Sequence, residues 1–434
     1  MRLGGRLEAA IDVIKEVEGR KRPISEALRD WGTSHRFAGS GDRAAIGNLV
    51  YDVFRKRRSL SWRMDDDRAP ARVHAALFTD WGYTPEKLKA ELEGDKFAPP
   101  ALSEKALAAF QSRVITDAPD AVQADLPDWL AAIFADNFEE EWIAEGRGFA
   151  ERPPLDIRVN TLKSDRNTVE RALSGLKPKK STIAREGLRI RPGTGPSRLP
   201  NLVVEEGYIK GWFEIQDEGS QIAADLVFAR PGETVLDYCA GAGGKTLALS
   251  AVMENRGKIH AFDADKHRLA AIYDRVVRAG CGNVEIHAPT GESGVEPLAP
   301  LIGRMDRVVV DAPCSGSGTW RRHPEAKWKL SPKAVAKRVE EQAAVLEEAA
   351  LYVRPGGYLV YITCSVLKAE NEDQILAFAE MNADFEIVSV GEVWQDLFGF
   401  DKPKPWSSDL NSVTLTPAST GTDGFFVAVL WRVD

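Results

Sequence analysis

Two cysteines in the C-terminal half stand in sequence surroundings that suit covalent chemistry on a pyrimidine. Cys314 lies in the stretch DAPCSGSG and Cys364 in YITCS, and a serine follows each thiol. A thiolate that adds to carbon 6 of a pyrimidine makes carbon 5 nucleophilic enough to accept a methyl group. One cysteine would attack carbon 6, and the other would help to release the methylated base from the covalent adduct. A lone cysteine is more often a small buried hydrophobic residue, so the hypothesis depends on two thiols lying together.

A second chemical feature is the glycine-rich stretch DYCAGAGGKT at residues 237–246. A P-loop that ends in this GKT requires glycine at position 239, where the chain has Cys239. A dinucleotide fingerprint that starts at Gly241 requires glycine at position 246, where the chain has Thr246. Each phosphate-binding template therefore fails by one residue.

The spacing to the next acidic residue favours another ligand for this loop. Asp263 ends the following apolar run, 22 residues after Gly241. A carboxylate there can accept hydrogen bonds from both hydroxyls of an adenosine ribose, and small residues let a ligand approach backbone N–H groups. S-adenosylmethionine requires this geometry without a pyrophosphate cradle. A tight turn with a helix-capping acid is the competing interpretation.

The elements that must position these residues alternate between strands and helices. Continuous apolar runs predict strands within 233–240, 257–265, 283–289, 306–313 and 356–365. Helical periodicity between them predicts a mostly parallel, doubly wound α/β sheet, closed by an antiparallel last strand in 423–433. Ligands of such sheets bind beyond the carboxyl ends of the strands. The glycine-rich loop, Asp263 and both cysteines lie at those ends.

The region before residue 216 has a different pattern. Leu, Ile, Val and Phe recur at three- and four-residue spacing, which predicts an all-helical region over 1–145. Short strands and one helix predict a small α+β module over 150–215, and the alternating region forms a third domain over 216–434.

Composition and charge narrow the class of protein. The 434 residues carry a net charge of −8 and contain no apolar run of signal-peptide or membrane-span length, so we expect a cytoplasmic protein with no membrane partner. Four cysteines without a C-x-x-C pair argue against a disulfide framework and against a zinc site, so no metal is expected. Residues 1–63 and 151–200 are basic, +6 and +7, and residues 64–150 are acidic, −10. Such blocks indicate nucleic-acid contact or merely solvated helix faces.

Together these stretches resemble the RsmB/Nop/Sun family of RNA 5-methylcytosine methyltransferases, especially its bacterial 16S ribosomal RNA branch. The resemblance runs from about residue 150 to the end. It rests on DYCAGAGGKT, FDADKHRL, DAPCSGSGTWRRHPEAKW, TCSVLKAENEDQI and TDGFF in the family's order, with RVNTLK and IQDEGSQ before them. The stretch GDRAAIGNLVYDVFRKR resembles the NusB-like RNA-binding domain of that branch. The resemblance implies a Rossmann-like class I methyltransferase sheet.

The resemblance also implies roles for individual residues. Cys364 is the nucleophile on carbon 6 and Cys314 assists breakdown of the covalent adduct. Asp311 hydrogen-bonds the cytosine ring and borders the cofactor, and Lys245 points toward the active site. The expected cofactor contacts are Cys239, Ala240, Gly241, Ala242, Gly243, Gly244, Lys245, Asp263 and Asp311.

RNA is the expected partner, bound by a monomer. The base must leave its stack to reach the thiols, so a basic surface should surround the pocket. The candidate RNA contacts are Arg158, Asn160, Arg321, Arg322, Lys327 and Lys329. Three alternatives stay open: a non-catalytic RNA-binding or ribosome assembly factor on the same fold, methylation of another RNA such as transfer RNA, and methylation of a protein or small molecule.

The chain departs from the family pattern at two places. Ala242 stands where the family commonly has proline, which keeps the residue small but leaves the turn less restrained. After the third strand, Pro289, Thr290 and Glu292 stand where the family usually has an acid near the adenine. The adenine contact is therefore not assigned.

Overall fold

The computed structural model describes residues 1–291, 294–399, 401–407 and 410–433. Internal contacts divide the chain into two compact units. One consists of Met1–Pro153, Pro192–Leu199 and Thr319–Leu330, and the other of Pro154–Arg191, Pro200–Gly318 and Ser331–Asp434. The functional division at 1–145, 150–215 and 216–434 stays a prediction. Among the described residues, no helix combines the length and apolar character needed to cross a membrane.

The first unit is helical, as the periodicity predicts. Its N-terminal helices are Leu3–Arg20, Ile24–Ser34, Ser40–Arg55, Arg57–Met64, Ala69–Asp80, Pro85–Leu92, Glu104–Ser112, Asp120–Gln123, Asp128–Phe138 and Trp142–Gly148. Leu7, Ile11 and Ile14 form one stripe of the first helix and share a buried core with Val50 and Leu77. Burying such stripes against one another stabilises these helices more than intrinsic propensity does.

A segment far along the chain, Thr319–Leu330, belongs to this helical unit. It contains the helix Pro324–Lys329. The buried Trp320 ring stacks on Phe134 with centroids 5.9 Å apart, and Trp328 Nε1 donates a hydrogen bond to the Phe54 carbonyl oxygen at 2.7 Å. Local sequence could not reveal this placement, because every one of these partners lies in the N-terminal region.

The second unit begins with a small antiparallel sheet. Its strands are β1 Leu155–Val159, β2 Lys179–Lys180, β3 Gly187–Ile190 and β4 Phe213–Ile215, in the order β2-β3-β1-β4. The helices Arg166–Ala172 and Glu206–Ile209 accompany it. Ile157, Leu188 and Phe213 form its buried core, so the expected mixture of short strands and helix is present.

The large sheet contains the predicted alternating strands and two further strands, β10 and β11. They are β5 Thr234–Asp237, β6 Lys258–Phe262, β7 Val284–His287, β8 Met305–Asp311, β9 Val353–Thr363, β10 Phe385–Val388, β11 Ser412–Leu415 and β12 Phe425–Arg432. Helices flank them at Glu218–Asp225, Gly244–Val252, Lys266–Leu269, Ile272–Ala279, Pro332–Ala350, Glu372–Met381 and Val390–Phe398. The strand order is β10-β12-β9-β8-β5-β6-β7, with β11 paired to β12.

Strands β5 to β9 are parallel, and β12 joins β9 antiparallel. Alternate residues of these strands enter two apolar layers, Val235 with Val309 on one face and Leu236 with Val308 on the other. The α/β class, the parallel order and the antiparallel closing strand are therefore confirmed. β10 and β11 were not predicted. β11 lies in a stretch rich in Ser, Thr and Pro, a composition that favours a loop interpretation.

The position of β5 explains where a ligand can bind. β5 lies between β6 and β8, so the strand order reverses there and the loops after β5 and β8 leave a crevice between them. The glycine-rich loop follows β5 and the Cys314 loop follows β8. Both chemical features thus meet at the switch point of the sheet.

Candidate active site

The glycine-rich loop joins β5 to the helix Gly244–Val252. Gly243 has a φ of 84°, and a Cβ atom there would lie 2.5 Å from Cγ1 of Ile272. Glycine is therefore required at 243 by both backbone conformation and packing. The helix begins at the next residue, so its free backbone N–H groups lie beside the crevice.

Asp263 lies at the tip of β6 and is held against this loop. One carboxylate oxygen accepts a hydrogen bond from the Gly241 amide at 2.9 Å, and the other accepts from the Asp265 amide at 2.8 Å. The residue is only 3% exposed. The carboxylate that the spacing assigned to a ribose is thus fixed beside the loop.

The charges around the loop discriminate between ligands. Lys245 Nζ forms an ion pair with Asp311 Oδ2 at 2.7 Å. Asp237 is fully buried and accepts a hydrogen bond from Thr246 Oγ1 at 2.6 Å. Burial raises the pKa of Asp237 to about 7, and the nearby carboxylates of Asp311 and Asp263 act in the same direction. Two cations also lie beside the loop, Lys245 and Arg268, whose Nη1 is 3.9 Å from Asp263 Oδ2. The excess of carboxyl groups over cations disfavours a pyrophosphate and suits the cationic sulfonium of S-adenosylmethionine.

The two thiols meet beyond the ends of β8 and β9. Cys314 Sγ lies 3.3 Å from Cys364 Sγ. Adjacent parallel strands produce this pairing, because the Ala312 amide donates to the Ile362 carbonyl oxygen and the Gly318 amide donates to the Cys364 carbonyl oxygen. Both cysteines keep partial exposure. The convergence on which the covalent hypothesis depends is present in the structure.

The two cysteines share one hydrogen bond, in which either sulfur can be the donor. The hydrogen bond to Cys364 raises the pKa of Cys314 well above its ordinary value, and burial and the Glu370 charge add to this effect. The raised pKa favours the neutral thiol form of Cys314. Burial also raises the pKa of Cys239, and the carboxylates of Asp263 and Asp311 contribute. Cys239 is thus unsuited to be a nucleophile.

Glu370 is a residue at this site that the sequence reasoning missed. Its side chain is fully buried and accepts hydrogen bonds from Ser315 and Ser365, the serines that follow the two cysteines. The repeated Cys-Ser pair and the ENE of TCSVLKAENEDQI were visible in the sequence. Their connection was not, because it depends on how three separate segments fold together.

Six basic or polar residues were predicted to form an RNA-binding surface, and the structure corrects this prediction for four of them. Arg158, Asn160, Arg321 and Lys327 are all buried. Arg158 Nε donates to Gln216 Oε1 at 2.7 Å, and the amide of Asn160 donates to the carbonyl oxygens of Gly211 and Ala279 at 2.8 Å each. Arg158 and Asn160 therefore have structural partners inside the second unit.

The remaining candidates lie in the helical unit. Burial lowers the pKa of Lys327 to about 8, and its Nζ donates to the Arg55 carbonyl oxygen at 3.3 Å. Arg322 is half-buried, and Lys329 is exposed with Nζ 2.7 Å from the Arg22 carbonyl oxygen. RNA contact by Arg322 and Lys329 stays a prediction. Glu292 lies outside the described residues.

Elsewhere in the described residues, one cluster has side chains that can ligate a metal ion, His260, Glu285 and His287. His260 Nδ1 and His287 Nε2 are 2.8 Å apart and hydrogen-bonded, and Glu285 forms an ion pair with Lys258. These partners satisfy the three side chains without a metal. The cluster contributes no group to the thiol site.

Comparison with known proteins identifies the family. A family model described as 16S rRNA methyltransferase RsmB/F matches residues 225–431. A probable ribosomal RNA small subunit methyltransferase B from Synechocystis sp. is 33% identical over 319 residues, covering 71% of this chain and 67% of that protein. The chain belongs to the RsmB/F family. The expected resemblance is therefore confirmed.

Solved structures agree with the RsmB/F assignment. The crystal structure of PH0851 is similar with a TM-score of 0.73 and 25% identity, covering 99% of both chains. A methyltransferase homologue from Pyrococcus horikoshii is similar with a TM-score of 0.58 and 27% identity, covering 72% of this chain and 98% of that one. The Rossmann-like methyltransferase fold and S-adenosyl-L-methionine as its cofactor follow for this RsmB/F member.

Proposed function

We propose that the protein methylates carbon 5 of a cytosine in RNA, through a covalent adduct between Cys364 and carbon 6 of the base. The observation that carries this proposal is the Cys314–Cys364 pair, 3.3 Å apart, at the same edge of the sheet as the cofactor loop. A transfer to an amine or hydroxyl group needs no second thiol. Paired thiols beside a methyl donor suit a carbon that must first be activated by addition.

The chemistry assigns a task to each group. Cys364, as a thiolate, forms a bond to carbon 6, and Asp311 favours protonation at N3 as negative charge spreads over the ring. Lys245 holds Asp311 in place through their ion pair. S-adenosylmethionine, when bound, supplies an electrophilic methyl group for carbon 5. The carbon 5 proton must then leave before the bond between Cys364 and carbon 6 can break.

The thiol contact suggests how Cys314 acts only at the release stage. While Cys364 is free, its hydrogen bond raises the pKa of Cys314. Once Cys364 is bonded to carbon 6, that hydrogen bond and the neighbouring thiolate charge are gone. Cys314 then loses its proton to water more readily and can accept the proton from carbon 5. The electrons of that C–H bond reform the ring double bond, and Cys364 leaves as a thiolate.

The RNA we propose is 16S ribosomal RNA, methylated in the cytoplasm. The family model and the Synechocystis relative carry ribosomal small-subunit names, which supports this substrate. We propose that residues 1–145 and 150–215 contact the RNA. An inactive assembly factor would have no need for intact Cys314, Cys364, Asp311 and Asp263, which counts against that alternative.

The direct test incubates purified protein with S-adenosylmethionine and either 16S ribosomal RNA or transfer RNA, followed by bisulfite sequencing. We expect 5-methylcytosine at a discrete position of the ribosomal RNA. Methylation of transfer RNA alone would overturn the substrate assignment. Incorporation of methyl groups without 5-methylcytosine would overturn the cytosine chemistry.

A further inference from the structure

We infer that Glu370 is a positioning residue that sets the separation of the two active-site thiols by joining the serines that follow them. This inference rests on the proposed function for its catalytic meaning. Its structural content, the distance between two sulfur atoms, can be measured without RNA. Glu370 does not touch the reacting atoms, so it acts through Ser315 and Ser365.

The hydrogen bonds to Glu370 use both carboxylate oxygens. Oε2 accepts from Ser315 Oγ and from Ser365 Oγ, each at 2.5 Å. Oε1 accepts from the Ser315 amide at 2.7 Å and from Gln342 Nε2 at 3.2 Å. Four donors converge on one fully buried carboxylate, and hydrogen bonds to an ionised group are short and strong.

The donors surround both cysteines. Gln342 Nε2 also donates to the Pro313 carbonyl oxygen at 3.0 Å, so Cys314 is restrained through the residues on either side of it. Ser365 follows Cys364, and its carbonyl oxygen accepts from Asn371 Nδ2 at 3.0 Å. The Glu370 backbone is fixed as well, because Tyr361 Oη donates to its carbonyl oxygen at 2.7 Å.

The network is distinct from the cofactor loop. Its side chains come from the segments after β8 and β9 and from the helix Pro332–Ala350, whereas the cofactor loop follows β5. Loss of Glu370 should therefore release the thiol loops and leave S-adenosylmethionine binding intact. A general loss of folding would affect both.

The chemistry of the side chain makes Glu370→Gln a sharp test. A glutamine keeps the shape but replaces one oxygen with an NH₂ group. On the Oε1 side that group would face the Ser315 and Gln342 N–H groups, which cannot accept from it. On the Oε2 side both serine hydroxyls would have to turn and accept, which exchanges charge-assisted hydrogen bonds for weaker neutral ones. Asp373→Asn is the matched control, since it removes the same charge three residues later from an exposed side chain.

The first readout is the rate at which Cys314 and Cys364 form a disulfide. Diamide accepts the two electrons and two protons that the thiols release, and mass spectrometry identifies the linked peptides. Loss of the Glu370 charge also increases the thiolate fraction of Cys314, so the disulfide rate is divided by the rate at which iodoacetamide alkylates Cys314. We expect Glu370→Gln to lower this ratio about 10- to 100-fold. Asp373→Asn should react like the wild type. A wild-type ratio in folded Glu370→Gln, together with wild-type disulfide rates in Ser315→Ala and Ser365→Ala, would overturn the inference.

The second readout is catalysis on RNA. We expect kcat to fall about 10- to 100-fold with KM unchanged and the Kd for S-adenosylmethionine unchanged. A fall in cofactor affinity equal to the fall in kcat would indicate a structural role only and would overturn the inference.

Two further variants keep the inference testable if Glu370→Gln fails to fold. Ser315→Ala and Ser365→Ala each remove one hydroxyl donor, and each should slow disulfide formation. Wild-type rates in both would overturn the inference. If the wild-type protein forms no 5-methylcytosine, the proposed function fails, while the disulfide measurement still decides the role of Glu370.

Discussion

Cys314 Sγ and Cys364 Sγ lie 3.3 Å apart although 50 residues separate them in the chain. The parallel pairing of β8 with β9 brings their loops together, and the hydrogen bond between the thiols makes their protonation interdependent. The contact couples the two thiols, and the family resemblance assigns the attack to Cys364 and the release to Cys314.

Removal of Cys364 should make Cys314 more reactive. The hydrogen bond to Cys364 is the main reason that the pKa of Cys314 is raised, so Cys364→Ala lowers that pKa and increases the thiolate fraction at a fixed pH. We expect iodoacetamide to alkylate Cys314 faster at pH 8 in this variant. Cys281, whose pKa is raised mainly by burial, is the internal control and should stay slow. An unchanged Cys314 rate would contradict the assignment.

Asp263→Asn should weaken S-adenosylmethionine binding. The carboxylate is held by the Gly241 and Asp265 amides in a position to accept the ribose hydroxyls, and a neutral amide is a poorer acceptor. We expect Kd to rise about 10- to 100-fold in isothermal titration. The exposed Asp274→Asn is the control and should bind normally. Equal affinities in the two variants would argue against a ribose contact.

Gly243→Ala should damage the cofactor loop more than an ordinary glycine replacement does. Gly232 also has a positive φ, of 98°, but a Cβ atom there meets nothing within 4 Å. Gly232→Ala therefore reports backbone strain alone, about 1–2 kcal/mol of unfolding free energy. Gly243→Ala adds the clash with Ile272, so we expect a loss of about 2–4 kcal/mol in urea unfolding. If both variants lose the same unfolding free energy, Ile272 must be able to move away from the new methyl group at no energetic cost, and the predicted clash would be wrong.

Asp237 should make folding stability depend on pH. Burial raises its pKa from 3.8 to about 7, so the folded protein binds the proton more tightly than the unfolded chain. Its contribution is therefore most favourable below pH 4 and is lost as pH rises to about 7. Between these two pH values, the extra proton bound by the folded state makes the unfolding free energy fall by at most about 1.4 kcal/mol per pH unit. In urea unfolding, Asp237→Asn should lower the pH slope of the unfolding free energy by up to this amount, and Asp274→Asn should not. The slope due to Asp225, whose pKa burial also raises to about 7, should remain in both variants.

Much of the fold could be predicted from the sequence, because apolar runs and the glycine-rich motif can be recognised within short stretches of the chain. Continuous apolar runs predicted strands β5, β6, β8 and β9. The glycine-rich loop fails the two phosphate-binding templates at Cys239 and Thr246, and this failure favoured S-adenosylmethionine as the ligand. The family assignment and the cofactor were confirmed. The expected placement of the cysteines at neighbouring strand ends follows from the doubly wound order, and the structure brings them together.

The sequence predictions that were wrong or missing share one physical cause, which is dependence on tertiary structure. Basic side chains are expected at the surface when only the sequence is known. Arg158 and Lys327 are nevertheless buried, because distant segments supply their hydrogen-bond acceptors, Gln216 and the Arg55 carbonyl oxygen. Trp320 reaches its aromatic partners only in the folded helical unit. Glu370 shares this dependence on tertiary structure, since its donors come from three separate segments.

The central claim is that Cys364 attacks the base and Cys314 releases it. The most direct measurement mixes each variant with 16S ribosomal RNA and S-adenosylmethionine and analyses the products on a denaturing gel. Cys314→Ala should accumulate a covalent protein–RNA species that resists denaturation, and Cys364→Ala should form neither this species nor 5-methylcytosine while still binding the cofactor. Undiminished methylation by Cys364→Ala, or free protein alone with Cys314→Ala, would contradict the mechanism.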